Sequence, residues 1–91
     1  MYEGRFSLIQ LSPAQSRAAR GLLDWSQTRL ASQSNLSEST IRDFEKGRRV
    51  PSVNNLAAIR SALEAAGVEF TSGDEPGVKL KKLKQGNGSE P

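Results

Sequence analysis

The chain has 91 residues, enough for one domain with a small core, and carries a formal net charge of +3 with 35% hydrophobic residues. It has no cysteine and no histidine, which excludes a disulfide framework, a zinc site built on Cys or His, and any histidine-dependent nucleophile or proton shuttle. No apolar run approaches the roughly 20 residues that span a bilayer, and the amino terminus, MYEGRFSLIQ, lacks a signal-peptide core, so the chain is expected to stay in the cytosol.

In chain order, residues 1–11 read as an amino-terminal arm or a short strand, and the pattern does not decide between them. A helix start follows. Ser12 is the cap, Pro13 takes the first helical position where its missing donor costs nothing, and Gln15 completes a capping box. Ala14, Ala18 and Leu22 share one face of this helix, with Ala19 and Leu23 beside it, and that face is expected to pack inward until the helix ends near Asp24.

Residues 25–47, WSQTRLASQSNLSESTIRDFEKG, read as two short helices around a tight corner. Ser26 caps the first, and Trp25 and Leu30 stand at hydrophobic-staple spacing around it. The device recurs with Ser37 as cap and Leu36 stapled to Ile41. Asn35 stands where a left-handed residue must turn the chain, and Gly47 is placed to close the second helix in that conformation. After a short loop through Arg48, Arg49 and Pro51, Ser52 caps a fourth helix with the apolar stripe Val53, Leu56, Ile59, Leu63 and Ala66, ending at Gly67.

Beyond Gly67 the period becomes alternating. Residues 68–71 and 78–81 are expected to form a β-hairpin with a long turn, within a segment spanning 68–84. The Gly-rich, polar residues 85–91 are expected to be disordered. The charge is not evenly spread: residues 12–66 hold eight Lys/Arg against five Asp/Glu, and the rest of the chain balances. The surplus therefore lies in the helical block, which favours an anionic partner there.

Residues 25–47 resemble the helix-turn-helix of the phage-repressor-like family, the lambda repressor, Cro and Xre group. The marks are Ser26 and Gln27 opening the first helix, Leu30 and Ala31 within it, and Leu36 after the corner. Ile41 and Phe44 follow as the buried residues of the second helix, and Glu45, Lys46 and Gly47 end it. The likeness extends back to Arg17 and forward to Gly67, more than half of the chain. Three positions depart from the pattern: Asn35 replaces the usual Gly, Arg29 stands where an acidic residue is common, and Ser34 occupies a usually apolar place. The resemblance implies a mainly α, repressor-like bundle of four to five helices over residues 12–67, here with a carboxy-terminal β-hairpin. Its implied function is sequence-specific binding of double-stranded DNA in transcriptional regulation.

The leading edge of the second motif helix is Ser37, Glu38 and Ser39, with Arg42 and Asp43 one turn on, where groove docking would bring side chains to base edges. The resemblance makes Glu38, Ser39 and Asp43 base-reading positions. Acceptors at Glu38 and Asp43 suit cytosine N4, and Arg42 suits guanine. The plainer alternative is that Ser37 is only a cap and the others a solvated surface. Two carboxylates facing DNA repel phosphate, so affinity must come from elsewhere, from Gln27, Lys46, Arg48 and Arg49. The resemblance gives Gln27 a phosphate-clamping role at the helix amino end; otherwise it is an exposed polar residue, and the arginine pair merely solubilising. By the same resemblance Arg20 and Glu45 form a structural ion pair between helices. Lys79, Lys81, Lys82 and Lys84 read either as a second phosphate stripe or as guards of a strand edge.

No Gly-rich phosphate loop, metal cluster or nucleophile pair is present, so neither an enzyme nor a cofactor is expected. The four helices are expected to close a core alone. That would free the hairpin face of Val68, Phe70, Val78 and Leu80 to make a homodimer on paired half-sites. The alternative is that Phe70 completes the domain's own core. A different class of function, an antitoxin-like or adaptor module binding a protein partner through the hairpin, remains the competing reading.

Overall fold

The computed structural model describes residues 11–71 and 76–81. The leader 1–10, most of the long turn, Lys82, Lys84 and the tail 85–91 lie outside the described residues. Within them, four helices precede a two-stranded hairpin: α1 (Pro13–Leu23), α2 (Gln27–Ser34), α3 (Glu38–Glu45), α4 (Val53–Ala65), β1 (Val68–Thr71) and β2 (Gly77–Leu80). No described helix is long and apolar enough to cross a membrane.

Every helix opens on a serine in extended conformation whose hydroxyl accepts from the backbone N–H three residues on: Ser12, Ser26, Ser37 and Ser52. At Ser12 the capping box is complete, because Gln15 also returns a bond to the cap's own N–H. Helices α1, α2 and α3 close alike, on a left-handed residue: Asp24 (φ 59°), Asn35 (φ 63°) and Gly47 (φ 78°). After each, the next N–H reaches back to the carbonyl five residues earlier, Trp25 to Arg20, Leu36 to Ala31 and Arg48 to Asp43, each at 2.9 Å. This is the Schellman closure, and it satisfies carbonyls that the helix itself leaves orphaned.

The core comprises Leu11, Ala19, Leu30, Ala31, Ile41, Phe44, Ile59, Leu63 and Val68, with Leu23, Trp25, Leu36, Leu56, Ala62, Phe70 and Val78 packed against it. Helix α2 packs between α3 and α4, and the hairpin lies against α1, with β1 also touching α4. Leu11, read as part of the leader, belongs to this core.

Three expectations need correction. The inward face of α1 is Gln15, Ser16 and Ala19, whereas Ala14 and Ala18 are exposed and Leu22 is 43% exposed. Polar residues face inward because each has a partner there, which rotates the buried stripe away from the one that apolar residues alone suggest. On α4, Ile59 and Leu63 are buried, but Val53, in the first turn, is 66% exposed. Nor do the helices close the core alone. Val68 is 1% exposed, and Phe70 and Val78 pack against the same cluster, so the apolar face of the hairpin is largely turned onto its own domain.

The strands pair antiparallel in the register Val68 with Leu80, Glu69 with Lys79, Phe70 with Val78 and Thr71 with Gly77. Glu69 and Lys79 meet at 3.9 Å on the outer face. Such a hairpin is marginal alone, and Gln15 is what fastens it. Its amide NH2 donates to Thr71 O at 3.3 Å and Gly77 O at 3.0 Å, while its carbonyl oxygen holds the Ser12 N–H. One buried side chain thus closes the start of α1 and the mouth of the hairpin. Gln15→Leu, similar in size but without these bonds, is expected to cost about 1–3 kcal/mol in urea unfolding, with strand amides losing hydrogen-exchange protection first. Strand protection equal to that of the parent would show that the contact does not hold the hairpin.

Candidate nucleic-acid interface

The interface is organised from behind by a buried carboxylate. Glu45, the last residue of α3, is only 2% exposed, a position that a charged side chain tolerates only when fully partnered. The Arg20 guanidinium of α1 donates through Nη2 to Oε1 at 2.7 Å and through Nε to both oxygens at 3.1 and 3.0 Å. Ser16 Oγ donates to Oε2 at 2.6 Å and Gln27 Nε2 to Oε1 at 3.1 Å. Arg20 also reaches Trp25 O at 3.0 Å, in the corner between α1 and α2. The carbonyl of Glu45 accepts from Arg17. Burial pushes the Glu45 carboxyl up, but the hydrogen bonds from Arg20, Ser16 and Gln27 and the Arg20 charge outweigh it, holding the pKa below the ordinary 4.5.

This places Gln27 differently from a free surface amide. Its NH2 group is engaged with Glu45 while the residue stays half-exposed at the amino end of α2, so its orientation is tied to the end of α3. Ser16 and Arg17 were not read from the sequence as members of this cluster. The signal was there, because Ser16 lies one turn before Arg20 on the same face of α1.

The corner between α2 and α3 explains two of the departures noted above. Asn35 adopts the left-handed conformation that Gly would take, and buried Ser34 donates its hydroxyl to Leu30 O at 2.7 Å within its own helix, so its polar group is satisfied. The third, Arg29, lies over the Trp25 ring at 5.3 Å.

On α3, Ser37, Glu38, Ser39, Arg42 and Asp43 all retain solvent exposure, and Lys46, Arg48 and Arg49 follow at its carboxy end, fully at the surface. Ser37 is a cap, accepting from Thr40 N at 3.2 Å, and its hydroxyl lies 3.2 Å from Ser39 Oγ and 2.8 Å from Thr40 Oγ1. Glu38 and Arg42 approach only to 3.8 Å, a loose pair between exposed side chains that water or a ligand can separate at little cost. The surface is therefore a short rod with donors and acceptors near its amino end and cations beyond its carboxy end, supported beneath by Ile41, Phe44 and Glu45.

A helix-turn-helix family model, HTH_3, matches residues 17–69, more than half of the chain. The chain belongs to this Xre/lambda repressor-like helix-turn-helix family and is a DNA-binding regulator of that class. No curated protein matches it.

Arg20→Met is expected to destabilise the fold by about 3–5 kcal/mol, because Glu45 would remain buried without its cation. Adding Glu45→Leu is expected to recover part of the loss, and additive losses in a urea double-mutant cycle would show that the pair is not coupled. Because folding lowers the Glu45 pKa, the unfolded chain takes up this proton more readily. Its stabilising contribution is full above pH 4.5 and is lost as pH falls through the lowered folded value. Acid unfolding of Glu45→Gln is accordingly expected to be shallower than that of the parent.

Proposed function

We propose that this regulator binds double-stranded DNA sequence-specifically, with α3 in the major groove. The observation that carries the reading is the layout of α3: a rigidly backed helix whose exposed leading edge offers base-reading groups and whose carboxy end runs into a cationic loop. Glu38, Ser39, Arg42 and Asp43 read base edges. Lys46, Arg48, Arg49 and the amino end of α2 at Gln27 hold phosphates, with Ser37 at the rim. The loose Glu38 pairing leaves Arg42 free to take a guanine, and the two acids penalise sequences that offer them no donor.

Binding as a homodimer to half-sites one helical turn apart belongs to the same proposal, as does action in the cytoplasm on chromosomal DNA. Since Val68, Phe70 and Val78 lie against their own helices, the contact between copies would have to use other exposed apolar residues, such as Val50, Val53 and Leu80. Among its described residues the hairpin offers a protein partner little apolar surface beyond Leu80, 46% exposed, which favours the DNA reading over an adaptor role.

Selection of bound duplexes from a random pool, followed by footprinting, tests the reading; enrichment of no motif would overturn sequence-specific binding. Glu38→Ala is expected to relax base preference at one position by about 1–3 kcal/mol of discrimination without loss of nonspecific affinity. Identical preferences in parent and variant would remove Glu38 from the reading head. Replacing Arg48 and Arg49 together by Ala is expected to weaken binding to all duplexes alike and to reduce the log–log salt slope by about two. An unchanged slope would show that the loop does not touch phosphate.

A further inference from the structure

Several charges among the described residues are locally compensated. Arg20 pairs with Glu45, Arg42 with Glu38, Arg60 with Glu64 and Lys79 with Glu69, and Arg29 lies over Trp25. Apart from Arg29, the cations without a carboxylate partner among the described residues are Arg17, Lys46, Arg48, Arg49 and Lys81. Four of these lie about the carboxy end of α3. Lys46, Arg48 and Arg49 lead out of α3, and Arg17 is held there from α1 by its bond to the Glu45 carbonyl.

That bond completes the end of the helix. The last four carbonyls of α3 are those of Arg42, Asp43, Phe44 and Glu45. The first three accept from the backbone N–H groups of Lys46, Arg48 and Gly47, and the fourth is taken by Arg17. A guanidinium carries five N–H donors, and this contact is the only side-chain hydrogen bond of Arg17 among the described residues, so an exposed residue keeps most of its fork available. A helix carboxy end presents about half a negative charge, which can offset only a fraction of four gathered cations. A polyanion would offset the rest.

Resting on the DNA-binding reading above, we propose that Arg17 is a further phosphate-contacting residue, contributed by α1 from outside the helix-turn-helix. One arm of the guanidinium holds the end of the recognition helix and the others hold the DNA backbone. The phosphate track then draws on α1 as well as on α2 and the end of α3, and the helix is clamped to the strand it lies beside. Anchoring at one nitrogen pre-orients the planar fork, which suits an oxyanion.

The test is titration of the full chain with a duplex of unrelated sequence over a range of salt, for the parent, Arg17→Gln and Arg17→Lys. Arg17→Gln is expected to lower the log–log salt slope by about one and to weaken all duplexes alike, whereas Arg17→Lys keeps the charge and the slope. A cap alone would lower thermal stability and leave the slope of the folded variant unchanged, which would overturn the inference. Should Arg17→Gln fail to fold, the Nε–H signal of Arg17 in the parent decides. It is expected to shift on adding duplex at low salt and to return as salt is raised, and a signal that never moves would sink the idea. A parent that binds DNA with an Arg17-independent slope overturns this inference alone. A parent that binds no duplex overturns the DNA reading with it.

Discussion

Glu45 sets the relative placement of the three helices on which the proposed DNA-facing surface is built. Its carboxylate sits in the interior and takes bonds from Ser16 and Arg20 of α1 and from Gln27 of α2, while its backbone ends α3. Burial without these partners would favour a neutral carboxyl; with them the charged form wins. The net stabilisation over a well-packed apolar replacement is small, because desolvation cancels much of the attraction. What the cluster supplies instead is direction. Among the described residues nine buried apolar side chains form the core, several of them small or β-branched, and apolar burial alone tolerates rotation and sliding of short helices. Bonds at 2.6–3.1 Å from two other helices do not.

The corners add a second constraint of the same kind. Trp25 and Leu36 each belong to two helices at once: their backbone N–H closes the preceding helix, and their side chain stands before the serine that caps the next. Chain direction therefore changes within about two residues, with few free dihedrals left to vary. This is why α2 and α3, each only 8 residues long and too short to persist as isolated helices, hold a fixed relative orientation.

Much of this was legible because it is local. Serine caps, the capping box and the left-handed Asn35 and Gly47 depend on residues within a few positions of one another, so their spacing carries the information. The two strands of the hairpin also followed from alternation, the second starting one residue earlier than expected, at Gly77. What was not legible depends on partners distant in sequence. Gln15 read as a capping residue, yet its other hydrogen bonds go to Thr71 and Gly77. The outward turn of Ala14, Ala18 and Leu22 follows from the same fact, since a helix whose polar residues have partners inside need not bury its most apolar stripe. Asp24 gave no turn signal as strong as a glycine, although Asp tolerates the left-handed region better than most residues. Among the site residues, Glu38, Ser39, Arg42 and Asp43 could be placed on one helix by spacing, but the loose Glu38–Arg42 pair and the tether on Gln27 required coordinates.

The polarity of α3 links its stability to its proposed role. A helix favours acidic groups at its amino end and cationic groups at its carboxy end. Glu38 stands in the first turn, whereas Lys46, Arg48 and Arg17 gather at the last. In the proposed docking the amino end faces bases, where an acid discriminates without adding affinity, and the carboxy end lies by phosphates, where cations supply affinity without reading sequence. Reversing the two charge sets would oppose the helix dipole. The arrangement that suits the dipole of a short α3 is thus the one that, in the proposed docking, sets Glu38 toward the bases and the terminal cations toward phosphate, so selection for either property would favour the same placement of these charges.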